Sequence, residues 1–154
     1  MKVMLKSFQK PLLLVSFSCL LVFNGCKLFY LPAYNAQISE QIDNTSNTVD
    51  KFFTMMLETT TAENNGRAYA LFDEQYMEIE AKLNSLYILN NTRPLNEIST
   101  HICENTLQLW VKYKEVHKKD NTISNGLIKL NQKIFSDLFI AMQIAEKAKG
   151  LISK

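Results

Sequence analysis

The side chains best suited to chemistry gather around residue 100. Glu97, His101 and Glu104 follow one another at intervals of four and three, a spacing that sets all three on one face of a helix. Carboxylate, imidazole and carboxylate together are donor chemistry for a divalent transition metal. Glu74 and Glu78 make a further carboxylate pair in the preceding segment. Di-metal sites in helix bundles need Glu-x-x-His on two helices plus additional inward glutamates. Here His101 precedes Glu104 and no second copy occurs, so this face is expected to be solvated, with (i, i+4) partners and no bound metal. His117, beside Lys118 and Lys119, is expected on the surface near a helix end. Cys103, among Ile102, Thr106 and Leu107, is expected to be a small buried residue with no local histidine to activate it. The absence of Cys-x-x-Cys-His excludes a c-type haem. Nucleophile elbows, phosphate-cradling glycine loops, His-Glu-x-x-His and dinucleotide fingerprints are absent too. No catalytic residue and no cofactor are therefore expected, and the chain is not read as an enzyme.

The remaining chemistry lies in the first 26 residues. Lys2, Lys6 and Lys10 precede an apolar run, Pro11 to Phe23, and no acidic residue occurs before Glu40. A basic segment followed by a short apolar run is the layout of a signal peptide. The run is shorter than the roughly 20 apolar residues of a membrane-spanning helix. The stretch Val22-Phe23-Asn24-Gly25-Cys26 resembles the lipobox of bacterial lipoproteins. That resemblance implies that the Cys26 thiol accepts diacylglycerol and that cleavage after Gly25 leaves Cys26 as the lipid-bearing first residue. Cys19 would leave with the leader and Cys103 would be the one remaining thiol, so no intramolecular disulfide is expected.

Composition narrows the class of the mature chain. Of the 17 basic residues three fall in the leader, leaving 14 to face 15 acidic ones. A domain near charge balance lacks the basic field that draws proteins to phosphate backbones, so nucleic acid is not an expected partner. The 154 residues, 47% of them hydrophobic, suit one globular domain. Only 4 Gly and 3 Pro punctuate the chain, which favours a few long helices over a sheet with many turns.

Apolar periodicity predicts four such helices. The first, Ala36 to Ala62, places Ile38, Ile42, Val49, Phe52, Phe53 and Met56 on one face with Thr45 and Thr60, and Gly66 is expected to end it in the left-handed conformation. The second, from about Ala68 to Asn90, uses Leu71, Phe72, Tyr76, Ile79, Leu83, Leu86 and Tyr87. The third is expected to start at or just after Pro94 and to bury Leu95, Ile98, Ile102, Leu109, Tyr113 and Val116. The fourth, from about Ser124 to Leu151, shows a stripe of Leu127, Leu130, Ile134, Leu138, Ala141, Ala145 and Ala148, flanked by Phe135, Phe139 and Met142. Helices of roughly 23 to 28 residues, about 35 to 42 Å long and joined by short turns, predict an all-α, antiparallel up-down four-helix bundle after a cleaved signal peptide. The acidic cluster Asp73, Glu74, Glu78, Glu80 and the basic cluster Lys112, Lys114, Lys118, Lys119 would then meet across helices two and three.

The organisation expected is a leader over 1–25, a short aromatic tether over 26–35 and a bundle over 36–154. In layout, and in the runs Tyr76-Met77-Glu78-Ile79-Glu80 and Asn84-Ser85-Leu86, the chain is similar to small helical lipoproteins of Gram-negative bacteria, particularly Bacteroidota. That resemblance names no activity. It implies a lipid-anchored envelope protein, expected at the outer rather than the inner membrane, and facing the periplasm, since Lys27-Leu28-Phe29 lacks the acidic residues that follow the cysteine in surface-exposed lipoproteins of that phylum. The function expected is that of a non-catalytic interaction or structural module with an envelope protein as partner. A bundle holding a small apolar ligand or a metal, and a prophage-type exclusion or immunity lipoprotein, are the alternatives.

Overall fold

The computed structural model describes residues 32–152. The leader, Cys26 and the tether up to residue 31 lie outside the described residues. Four helices follow: α1 (Ala36–Thr59), α2 (Asp73–Asn91), α3 (Glu97–Asp120) and α4 (Asn125–Ile152). Each packs on the next and α4 closes against α1, which makes the all-α, antiparallel up-down four-helix bundle that the periodicity predicts. Cross-helix pairs show the registers. Tyr76 meets His117 and Glu80 meets Lys114 across α2 and α3, while Ser39 meets Gln143 and Asp50 meets Gln132 across α1 and α4. The end at which the described chain begins, where α1 and α3 start and α2 and α4 finish, is termed proximal; the other end is distal.

Local chemistry explains most helix boundaries. Asn35 caps α1, its side chain accepting from the amides of Gln37 and Ile38 at 2.9 and 3.2 Å. Asp73 and Glu74 occupy the first turn of α2, and Lys118 and Lys119 the last turn of α3, each sign suited to its end of the helix dipole. Asn121 ends α3 in the left-handed conformation (φ 49°), returning its amide to the His117 carbonyl, and its side chain accepts from the amide of Tyr69.

Several expected boundaries are corrected. α1 stops at Thr59, three residues early, because Thr60 is extended and the chain turns through short 3-10 segments at Glu63–Asn65 and Tyr69–Leu71. The left-handed residue of that connection is Asn65 (φ 59°), not Gly66 (φ −61°). Glycine is required at 66 for closeness instead, since a Cβ there would stand 2.6 Å from the Thr61 carbonyl oxygen. α2 begins at Asp73 rather than Ala68, behind a non-helical Phe72. α3 begins at Glu97, because Leu95 adopts a left-handed φ of 58° and keeps Pro94 in the turn.

The core faces of α1 and α2 match expectation except that Leu71 is exposed and Tyr87 only partly buried, but those of α3 and α4 are rotated from it. α3 buries Ser99, Cys103, Thr106, Trp110, Tyr113 and His117, a sequence of four-three steps, while Leu95, Ile98 and Val116 are exposed. α4 buries Ile128, Asn131, Phe135, Phe139, Met142, Glu146 and Lys149, leaving Leu127 and Leu130 exposed. The core is consequently aromatic where it is thickest. Trp110 lies 5.3 Å from Phe52, 5.3 Å from Tyr76 and 5.4 Å from Phe135, ring centre to ring centre, and donates its indole N–H to the Tyr76 carbonyl.

Candidate functional site

Two buried polar networks, one at each end, break the apolar core. The proximal one is built on Glu146, which the four-three periodicity of α4 turns inward until it is 1% exposed. Three elements converge on its carboxylate. The Asn35 amide donates from the start of α1 at 2.8 Å, Arg93 Nη1 reaches both oxygens from the α2–α3 turn at 3.1 Å, and Lys149 Nζ approaches within α4 at 2.5 Å. Arg93 Nη2 also donates to the Ala33 carbonyl. Burial by itself would raise the Glu146 pKa, but the bonds from Lys149, Asn35 and Arg93 outweigh it and hold the carboxyl below its ordinary range. Lys149 is held below its ordinary value by burial, against the opposing pull of Glu146. The last residues before α1 are thus tied to the bundle by charge-assisted bonds rather than hung from it.

Beneath this network the α2–α3 turn is closed by amides. Asn90 donates to the Leu86 carbonyl and to Cys103 Sγ at 3.4 Å, and Asn96 donates to both the backbone and side-chain oxygens of Asn90. The Asn96 Oδ1 is buried without a hydrogen-bond partner among the described residues. Cys103 is buried, as expected, and burial pushes its thiol up to about 12, so it stays protonated and a poor nucleophile.

No protein-family model, curated protein or solved structure matches the chain.

The distal network joins Arg67, His117 and Tyr76. Arg67 is 2% exposed and solvated by neutral oxygens: Nη1 donates to the Ile123 carbonyl at 3.0 Å, and Nη2 to the carbonyls of Met56 and Thr60 at 3.1 and 2.9 Å. Met56 and Thr60 lie at the C-terminal end of α1, where a cation is electrostatically favoured. His117 is fully buried, against the expectation of a surface position, because α3 carries it on the same stripe as Trp110 and Tyr113. Its Nε2 lies 2.8 Å from the Arg67 carbonyl, which can only accept, so Nε2 carries the proton and Nδ1 accepts from the Tyr76 hydroxyl at 2.8 Å. Burial lowers the His117 pKa, and burial together with the Tyr113 hydroxyl keeps Tyr76 protonated far above its usual range. With both ring nitrogens engaged, the imidazole is a brace between the end of α3 and the α1–α2 connection and has no free atom to offer a substrate.

The residues singled out by spacing fall elsewhere. Glu97, His101 and Glu104 occupy the outer side of the first turns of α3. His101 Nδ1 and Glu104 Oε2 are 3.5 Å apart, with the histidine side chain largely in solvent. Among the described residues no group of three or more His, Cys, Asp or Glu is placed to hold a metal ion. Cys26 lies outside the described residues. The charge clusters of α2 and α3 meet through Lys114 and Glu80 at 2.5 Å. A shallow groove between α1 and α2, lined by Thr48, Phe52, Met55, Gln75 and Ile79, encloses about 170 Å³. That is below the roughly 300–1,000 Å³ of small-molecule pockets. Glu146, Lys149, Arg93 and Arg67 escaped sequence reasoning. The signal for the first two was present, since 135, 139, 142, 146 and 149 form one four-three series.

Proposed function

We propose that this chain is a lipid-anchored, non-catalytic helical module of the bacterial cell envelope, held on a membrane by a lipid on Cys26 and engaging another envelope protein. The observation that carries the reading is the cysteine at the end of the apolar run, in the context Gly25-Cys26, behind a basic segment that has no acidic residue. The fold is compatible with it. No described helix is long and apolar enough to cross a membrane, so attachment through the described chain would need another device. The proximal bonds to Ala33 and Asn35 give a tethered domain a fixed rather than swivelling origin. A periplasm-facing position at the outer membrane, with Lys27-Leu28-Phe29 directly behind the cysteine, completes the reading.

Metabolic labelling with a fatty-acid probe tests the anchor. The wild-type chain is expected to label and to fractionate with membranes, and Cys26→Ser to abolish labelling and to leave an unprocessed precursor, because only the thiol accepts the diacylglycerol. Undiminished labelling of Cys26→Ser overturns the proposal. Crosslinking of the lipidated protein in intact envelopes is expected to trap a protein partner.

A further inference from the structure

The two most exposed large apolar side chains among the described residues lie at the proximal end. Leu151 is 82% exposed and Ile98 71%, the two highest values among the described large apolar residues, and Leu95 and Tyr34 are exposed at the same end. Leu95 combines a left-handed backbone, a conformation that a bulky residue rarely adopts, with a side chain that is 53% exposed. Leu151 lies five residues beyond Glu146, which is level with Asn35. The last turn of α4 therefore overhangs the start of α1 by about 7 Å at 1.5 Å per residue.

The length of chain outside the described residues says what these side chains meet. From Cys26 to Pro32 there are six residue steps, which span at most about 20 Å when fully extended. The next residues are fastened to Arg93 and Glu146, so the tether gains no reach by peeling away from the bundle. Resting on the lipid-anchor reading above, we infer that the proximal end of the bundle docks on the bilayer that holds the Cys26 lipid, with Leu95, Ile98, Leu151 and Tyr34 entering its interfacial layer. Charge does not drive this contact. Arg93 and Lys149 are spent on the buried Glu146, and Glu40 and Glu97 beside Lys147 leave no excess of positive charge among the described residues of this end, so docking depends on apolar insertion and does not require anionic lipid.

The test uses the mature lipidated protein in phosphatidylethanolamine–phosphatidylglycerol vesicles. Single variants Ile98→Cys and Leu151→Cys at the proximal end, and Leu71→Cys and Leu127→Cys at the distal end, are labelled with an environment-sensitive fluorophore. Cys103 stays unlabelled because it is buried and Cys26 because it carries lipid. The proximal probes are expected to be quenched several-fold more by brominated lipid than the distal ones and to be shielded from aqueous iodide, at low and high salt alike. Equal iodide access at all four positions, on protein that floats with the vesicles and labels with the fatty-acid probe, overturns the docking and leaves the anchor standing. Loss of both flotation and lipid labelling overturns the two together. Shielding of the proximal probes without vesicles assigns that end to a second copy of the chain and equally overturns the docking.

Discussion

His117 is neutral in the fold because burial disfavours its charged form and both of its nitrogens are spent, one donating to the Arg67 carbonyl and one accepting from Tyr76. Its folded pKa is lowered from 6.5, so below that value the unfolded chain binds a proton that the folded chain refuses. Its contribution to stability is complete above pH 6.5 and is lost as pH falls through the range beneath it. Glu146 is shifted in the same direction for the opposite reason, its charged form being favoured, and its contribution disappears only below its ordinary value of 4.5. The melting temperature is therefore expected to fall in two stages on acidification, and His117→Gln to flatten the first stage while leaving the second. An unchanged first stage in that variant would remove His117 from the account. Cys103 gives a second residue-scale expectation. With its thiol buried and pushed up to about 12, Cys103 is expected to be silent to a thiol reagent in the native protein and to react after denaturation. The burial of Cys103 was legible from its apolar neighbours, whereas that of His117 was not, because Lys118 and Lys119 suggest solvent to any reading that looks only along the chain.

At the scale of elements, the start of α1 depends on residues that belong to the tether in sequence. Asn35 caps the helix with its side chain and feeds Glu146 with its amide, and Ala33 accepts from Arg93. A chain beginning at Ala36 keeps every apolar stripe but loses these bonds and leaves a buried carboxylate short of a donor. Relative to a chain beginning at Pro32, it is expected to fold and to be less stable by about 1–3 kcal/mol in urea denaturation. Equal midpoints would show that the proximal network holds nothing. The faces of α1 and α2 could be read directly because their buried positions are nearly all apolar. Those of α3 and α4 could not, because polar residues occupy the inward stripe: Ser99, Thr106 and His117 in one helix, Asn131, Glu146 and Lys149 in the other. Apolar residues one step away, Ile98 and Leu130 among them, then offer a competing stripe with the same period. Periodicity fixes the spacing of a face but its phase only where inward positions are the more apolar ones.

The described bundle as a whole is held by packing around Trp110, which touches aromatic rings from α1, α2, α3 and α4 at once. Trp110→Ala is expected to cost about 3–5 kcal/mol, measured as a drop in the unfolding midpoint with helical circular dichroism retained at low temperature. That is a large share of the roughly 5–15 kcal/mol available to a domain. A loss below about 1 kcal/mol would place the centre of the core elsewhere. The sequence by itself determined the number of helices, their order and the antiparallel bundle, because these follow from apolar period, sparse Gly and Pro, and short connections, all of them local in the chain. The proposal of a leader ending at Cys26 likewise rests on composition and adjacency alone. Only the tertiary structure decided which side of α3 and α4 faces inward, that Glu146 gathers donors from three elements, and that Arg67 solvates itself on the carbonyls of α1 and the Ile123 backbone. The physical reason is that a buried polar group is stable only when its partners arrive, and those partners lie as far as 111 residues away along the chain.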